Sequence, residues 1–101
     1  MLKQRLGAAT AYSAGFSSQY FAPDGLMGMA YQTISQYNSP PVFQNLVSYK
    51  QVTSPVFSFK LSTSGSELLL GGANSELYSG SFTYVPVTTK VGQDLILRNA
   101  R

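Results

Sequence analysis

Residues 55–72, PVFSFKLSTSGSELLLGG, decide how this chain is read. In the first half, Phe57, Phe59 and Leu61 alternate with Val56, Ser58 and Lys60. A period of two puts the first set on one face of a strand and the second set on the other. Thr63-Ser64-Gly65-Ser66 has turn composition, and GSELLLGG follows as a second run of strand character. Two such runs joined by a short Gly-containing turn predict an antiparallel hairpin with one buried face.

Working outward, SPPVFQNLVSYKQV precedes the hairpin. Proline is tolerated in the first turn of a helix, and Val42, Phe43, Leu46 and Val47 recur at helical spacing. One short amphipathic helix is expected there. On the far side, Asn74 to Gly80 reads as a loop and SFTYVPV, residues 81–87, as a third strand with Pro86 near its end. Towards the N-terminus, LGAATAYSA (6–14) is small, apolar and free of proline, which predicts a buried strand. SSQYFAPDG reads as a loop, in which Pro23-Asp24-Gly25 is turn chemistry: Pro presets one dihedral, Asp bonds the backbone ahead, and Gly accepts positive φ. Leu26-Met27-Gly28-Met29 is wholly apolar, and its flanking glycines predict backbone packed closely against another strand. The fold class is mainly β with one short helix.

Composition removes much chemistry. The chain has 101 residues, with 44% hydrophobic side chains and no His or Cys. That is one small domain at most. A Ser-His-Asp triad, a Cys nucleophile and an ordinary zinc site cannot be built from it. No apolar run is long enough to span a membrane as a helix. Lys3 and Arg5 are not followed by a sustained apolar stretch, so no signal peptide is expected. The formal charge of +3 sits at the ends, where Lys3 with Arg5, and Lys90, Arg98 and Arg101 against Asp94, contribute +2 each. The middle of the chain is slightly acidic. Nucleic-acid faces cluster Lys and Arg among exposed aromatics, and this sequence does not, so no nucleic-acid partner is expected. Lys90, Arg98 and Arg101 read as a solvated tail.

Asp24 is one of only four acidic residues. As a catalytic acid it would need a second carboxylate close by, and Glu67 and Glu76 lie in turn-flanked segments that do not obviously converge on it. A turn role fits its Pro-Asp-Gly setting better. Phe57, Phe59 and Tyr84 have the alternate spacing of core packing rather than of a ligand platform. Met27 and Met29 read as gap-filling core residues.

The order of these segments resembles that of the pepsin-like aspartic endopeptidases, especially their fungal branch. Asp24-Gly25-Leu26-Met27-Gly28-Met29 comes first, then the Pro-rich helix start and Pro55 to Leu61. Gly65 to Gly72, Tyr78-Ser79-Gly80 and Phe82 to Val87 follow in turn. The likeness covers residues 1–90 as part of the N-terminal lobe, specifically its second half, and leaves 91–101 as a non-matching tail. It implies a two-lobed, mostly β acid protease acting on peptide or protein substrates, without metal or organic cofactor. Each lobe donates an aspartate from Asp-Thr-Gly or Asp-Ser-Gly. The pair shares a proton, because two close carboxylates do not both ionise readily, and activates a water. Family members are usually secreted or vacuolar.

Neither aspartate here sits in such a motif: Asp24 precedes Gly25-Leu26, and Asp94 precedes Leu95-Ile96. By the resemblance, one catalytic motif and the flap belong upstream of Met1, the other motif downstream of Arg101. Tyr12, Tyr20, Tyr31 and Tyr37 fall in the wrong place for the flap tyrosine. The carry-over makes Leu26 a residue lining the substrate cleft. Pro23 stands beside it where the family often has an aromatic. Asp24, Gly25, Met27 and Gly28 complete the structural motif, with Gly28 needed for close approach to the strand that bears a catalytic aspartate. The chain is thus expected to be an inactive part of a peptidase, associating through exposed strand edges and poorly soluble by itself. A non-catalytic binding or regulatory module is the rival reading, and the flanking coding sequence discriminates the two.

Overall fold

The computed structural model describes residues 3–88. The predicted helix is present as α1, Val42–Ser48, and the predicted hairpin as β1, Phe57–Lys60, and β2, Glu67–Leu70. The strands pair antiparallel with Phe57 opposite Leu70 and Lys60 opposite Glu67. Short 3-10 turns lie at Ala14–Phe16, Gln32–Ile34 and Ser75–Leu77. The remaining described backbone is irregular. The result is a mostly non-helical chain with a two-stranded sheet and one helix, as fits part of a pepsin-like lobe.

Side chains close both ends of the hairpin. In its turn, Ser66 Oγ donates to the Ser62 carbonyl (2.8 Å) and accepts from the Ser62 amide (3.0 Å). At its open end, Gly71 takes φ +88°, a conformation that costs an L-residue about 1–2 kcal/mol. The Gly71 amide donates to the Val56 carbonyl (2.7 Å), and Thr53 Oγ1 donates to the Gly71 carbonyl (3.3 Å). Ser58 Oγ holds the Gly72 carbonyl at 3.0 Å. Gly71 and Gly72 therefore anchor the end of β2 to the loop before β1 and to β1 itself.

Phe43 of α1 is 8% exposed and is the one buried hydrophobic residue among those described. Its ring meets Phe57 edge to face at 4.9 Å, and Phe57 meets Phe59 at 5.9 Å. The sequence pattern assigned Phe57, Phe59 and Leu61 to a buried face, yet only Phe57 is covered; Phe59 and Leu61 are exposed. A seven-residue helix is about 10 Å long and shields one end of the sheet only.

Four further expectations are corrected by the coordinates. Residues 6–14 form no strand and are exposed. Residues 81–87 enter no ladder among the described residues, and Tyr84 is not core. Met27 is exposed and Met29 only half-buried. Gly25 does not take positive φ, so the turn at Pro23–Gly25 is a simple bend. Three of these share one physical cause, since a strand or an apolar run is buried only if something packs against it.

The N-terminal segment is held by polar contacts instead of a sheet. Asn45, buried on α1, donates through Nδ2 to the Lys3 carbonyl (3.1 Å) and to Gln4 Oε1 (2.8 Å). Gln4 Nε2 in turn donates to the carbonyl of Pro40 (3.3 Å). Periodicity could not show this role, since Asn45 lies outside the apolar set on the helix.

Two outcomes follow. Replacing Phe43 by Ala removes the contact between helix and hairpin at a cost of about 3 kcal/mol; amide exchange across β1 and β2 should then rise to the rate of an unfolded chain. Asn45→Ala leaves the Lys3 carbonyl and the Gln4 amide without this donor, at about 1 kcal/mol per bond. Limited trypsin digestion should cut after Lys3 and Arg5 faster, while the hairpin amides stay protected.

Candidate functional site

A cleft of ≈ 530 Å³ opens between the N-terminal segment and the stretch that leads into α1. Gln4 to Gly7 form one wall. Leu26, Met27, Gly28 and Ala30 form the second, and the chain from Tyr31 through Pro41 to Val42 supplies the floor and rim. Local chemistry explains the shape. The Gln32–Ile34 turn is closed by Ser35 N donating to the Gln32 carbonyl (2.9 Å). Gln32 Nε2 reaches the Asn38 carbonyl (3.1 Å), curling residues 32–38 into a compact loop. Gln44 Nε2 on α1 donates to the Ala30 carbonyl (3.0 Å) and ties the apolar run to the helix. The other end of that side chain, Oε1, is buried and has no hydrogen-bond partner among the described residues.

Across the cleft, the Tyr37 hydroxyl lies against Gly7 so closely that a β-carbon there would collide with it. Glycine at 7 is what lets the N-terminal wall approach this loop.

The sequence candidates divide at this point. Leu26 (79% exposed), Met27 (52% exposed) and Gly28 lie on the cleft wall. Pro23, Asp24 and Gly25 are exposed and off it. A β-carbon at Gly28 would meet nothing within 4 Å, so the close backbone approach expected there is not made by the described residues. Tyr31 and Tyr37, set aside as flap residues, both line the cleft. Arg5 was read only as part of the N-terminal charge, and Gln4 and Gln44 were not singled out, because their roles depend on segments far apart in sequence. The only signal for them was a run of long polar side chains beside small ones, which is too common to use.

Among the described residues, the cleft lining has one charged side chain, Arg5, and no carboxylate. Among the described residues no three of His, Cys, Asp and Glu come together in a way that could hold a metal ion. Asp24 lies in the bend before Leu26, Glu67 on β2 and Glu76 in the 3-10 turn capped by Asn74.

Comparison with known proteins gives the family. The family described as eukaryotic aspartyl protease matches residues 1–98, running on into the segment after residue 90. An aspartic protease of Phaffia rhodozyma is 46% identical over 87 residues, covering 86% of this chain and 21% of that protein. Human cathepsin D is 49% identical over 72 residues, 66% of this chain and 18% of its own length. Pepsin A of Sus scrofa is 45% identical over 75 residues, 70% and 20% respectively. The chain thus spans about a fifth of the length of these relatives. With a match over nearly every residue, this chain belongs to the eukaryotic aspartyl protease family.

Proposed function

We propose that this chain contributes the non-catalytic half of an N-terminal lobe to an aspartic endopeptidase and hydrolyses no peptide bond by itself. The observation that carries this reading is a family cleft-wall element, Leu26-Met27-Gly28, in a chain with no Asp-Thr-Gly or Asp-Ser-Gly. The parent reaction attacks an internal peptide bond with an aspartate-activated water, and it needs two carboxylates sharing one proton. Neither Asp24 nor Asp94 is set in a motif that would supply one of them.

Under this reading the described residues bind and shape. Leu26 and Met27 offer apolar surface to substrate side chains next to the scissile bond. Residues 1–90 act as the lobe's scaffold, and 91–101 as a segment of different character. A second copy of the chain would not restore turnover, since it brings no further aspartate motif. Peptide or protein substrates are the class that such a wall serves.

The test is a peptidase assay on the purified chain from acidic to neutral pH, using an internally quenched peptide. No pepstatin-sensitive turnover is expected at any pH. Cleavage that pepstatin abolishes would overturn the proposal.

A further inference from the structure

The bend before the cleft wall joins two residues whose combined chemistry neither the fold nor the protease reading uses. Asp24 is followed directly by Gly25. Both are exposed, and Pro23 with Asp24 forms the bend. Among the described residues the Asp24 carboxylate makes no hydrogen bond or ion pair, and the Gly25 amide donates to no carbonyl. The bond from Asp24 to the backbone ahead, expected from its turn setting, is therefore not made. A β-carbon at Gly25 would meet nothing within 4 Å, so the space beside that amide is open. Glycine has no side chain of its own to shield the nitrogen.

We propose that Asp24-Gly25 is a site of spontaneous succinimide formation and conversion to isoaspartate. The Gly25 backbone nitrogen attacks Asp24 Cγ, a five-membered imide closes, and the carboxyl oxygen leaves as water with the amide hydrogen. Water then adds to one of the two imide carbonyls. Breaking the bond from nitrogen to Cγ restores aspartate. Breaking the bond from nitrogen to the α-carbonyl leaves the chain running through the β-carboxyl, which is isoaspartate. The water lost in the first step is regained in the second, so the product has the mass of the original chain. It carries one extra methylene in its backbone directly before Leu26, where the second wall of the cleft begins.

The amide side chains that undergo the same chemistry are restrained. Asn45 is buried, bonded through Nδ2 and followed by Leu46. Asn74 Oδ1 accepts from the Glu76 amide (3.1 Å). Asn38 is pinned on both sides: its amide donates to the Ser35 carbonyl (3.0 Å), and its carbonyl accepts from Gln32 Nε2 (3.1 Å). Those bonds oppose the backbone rotation that ring closure needs, whereas Asp24 has none to break. This inference rests on the bend alone and is independent of the protease reading.

The test is to hold the purified chain at physiological temperature and mildly acidic pH and to follow isoaspartate with time. Methyl transfer from S-adenosylmethionine by a protein isoaspartyl methyltransferase reads the amount. Loss of Asp-N endoproteinase cleavage between Pro23 and Asp24 reads the position. Isoaspartate should accumulate at Asp24 at a rate within about threefold of that in the free peptide of residues 21–28. Gly25→Val sets a branched side chain beside the attacking nitrogen and should slow the reaction about tenfold, about 1.4 kcal/mol in the barrier. Asp24→Glu removes the five-membered route and should abolish the signal at this position. Residues 23–25 bond to neither strand, so amide protection of β1 and β2 reports that both variants fold. A rate in the chain more than about tenfold below that of the free peptide would overturn the proposal. So would methyl acceptance undiminished by Asp24→Glu, or a rate unchanged by Gly25→Val.

Discussion

The contact between Phe43 and Phe57 is the point on which the folded part of this chain depends. It joins the one helix to the one sheet, and Phe43 is the one buried hydrophobic side chain among the described residues. An edge-to-face aromatic pair contributes about 0.5–1.5 kcal/mol beyond the area that it buries. In most domains that would be a small part of a large core. Here it fixes how α1 sits on β1, and through α1 it fixes the N-terminal segment and the apolar run at 26–30. Asn45 and Gln44 reach those two segments from the same helix.

The cleft follows from this arrangement. Its walls are pieces of chain that make no sheet with each other, held in place by side chains of α1 and by the approach of Tyr37 to Gly7. Such a site offers surface and shape. Among the described residues Asp24, Glu67 and Glu76 stand on separate elements, and none of them lines the cleft.

The sequence made some elements plain. The hairpin was legible because alternation, a Gly-containing turn and a second apolar run all indicated the same pairing. The helix was legible because Pro40 and Pro41 open it and Phe43, Leu46 and Val47 share a face. Leu26 entered the reading as a cleft residue through the family likeness alone, whereas Met27 and Gly28, read as core and close-packing residues, also stand on the cleft lining. Residues 6–14 and 81–87 read as strands and are not strands here, although their composition suits the role. A strand is a relation between two segments, and composition reports only one of them. The same reason explains the exposure of Phe59, Leu61 and Met27.

By itself, then, the sequence determined ancestry, fold class, the hairpin and helix, and the absence of a catalytic aspartate motif. These depend on local pattern and on the identity of residues, which a chain carries wherever it goes. Only the tertiary structure decided that Asn45 is a buried tie, that Tyr37 rests on Gly7, and that residues 81–87 enter no ladder among the described residues. Those facts depend on distances between segments tens of residues apart. Whether an apolar face is buried or bare is decided by what stands opposite it.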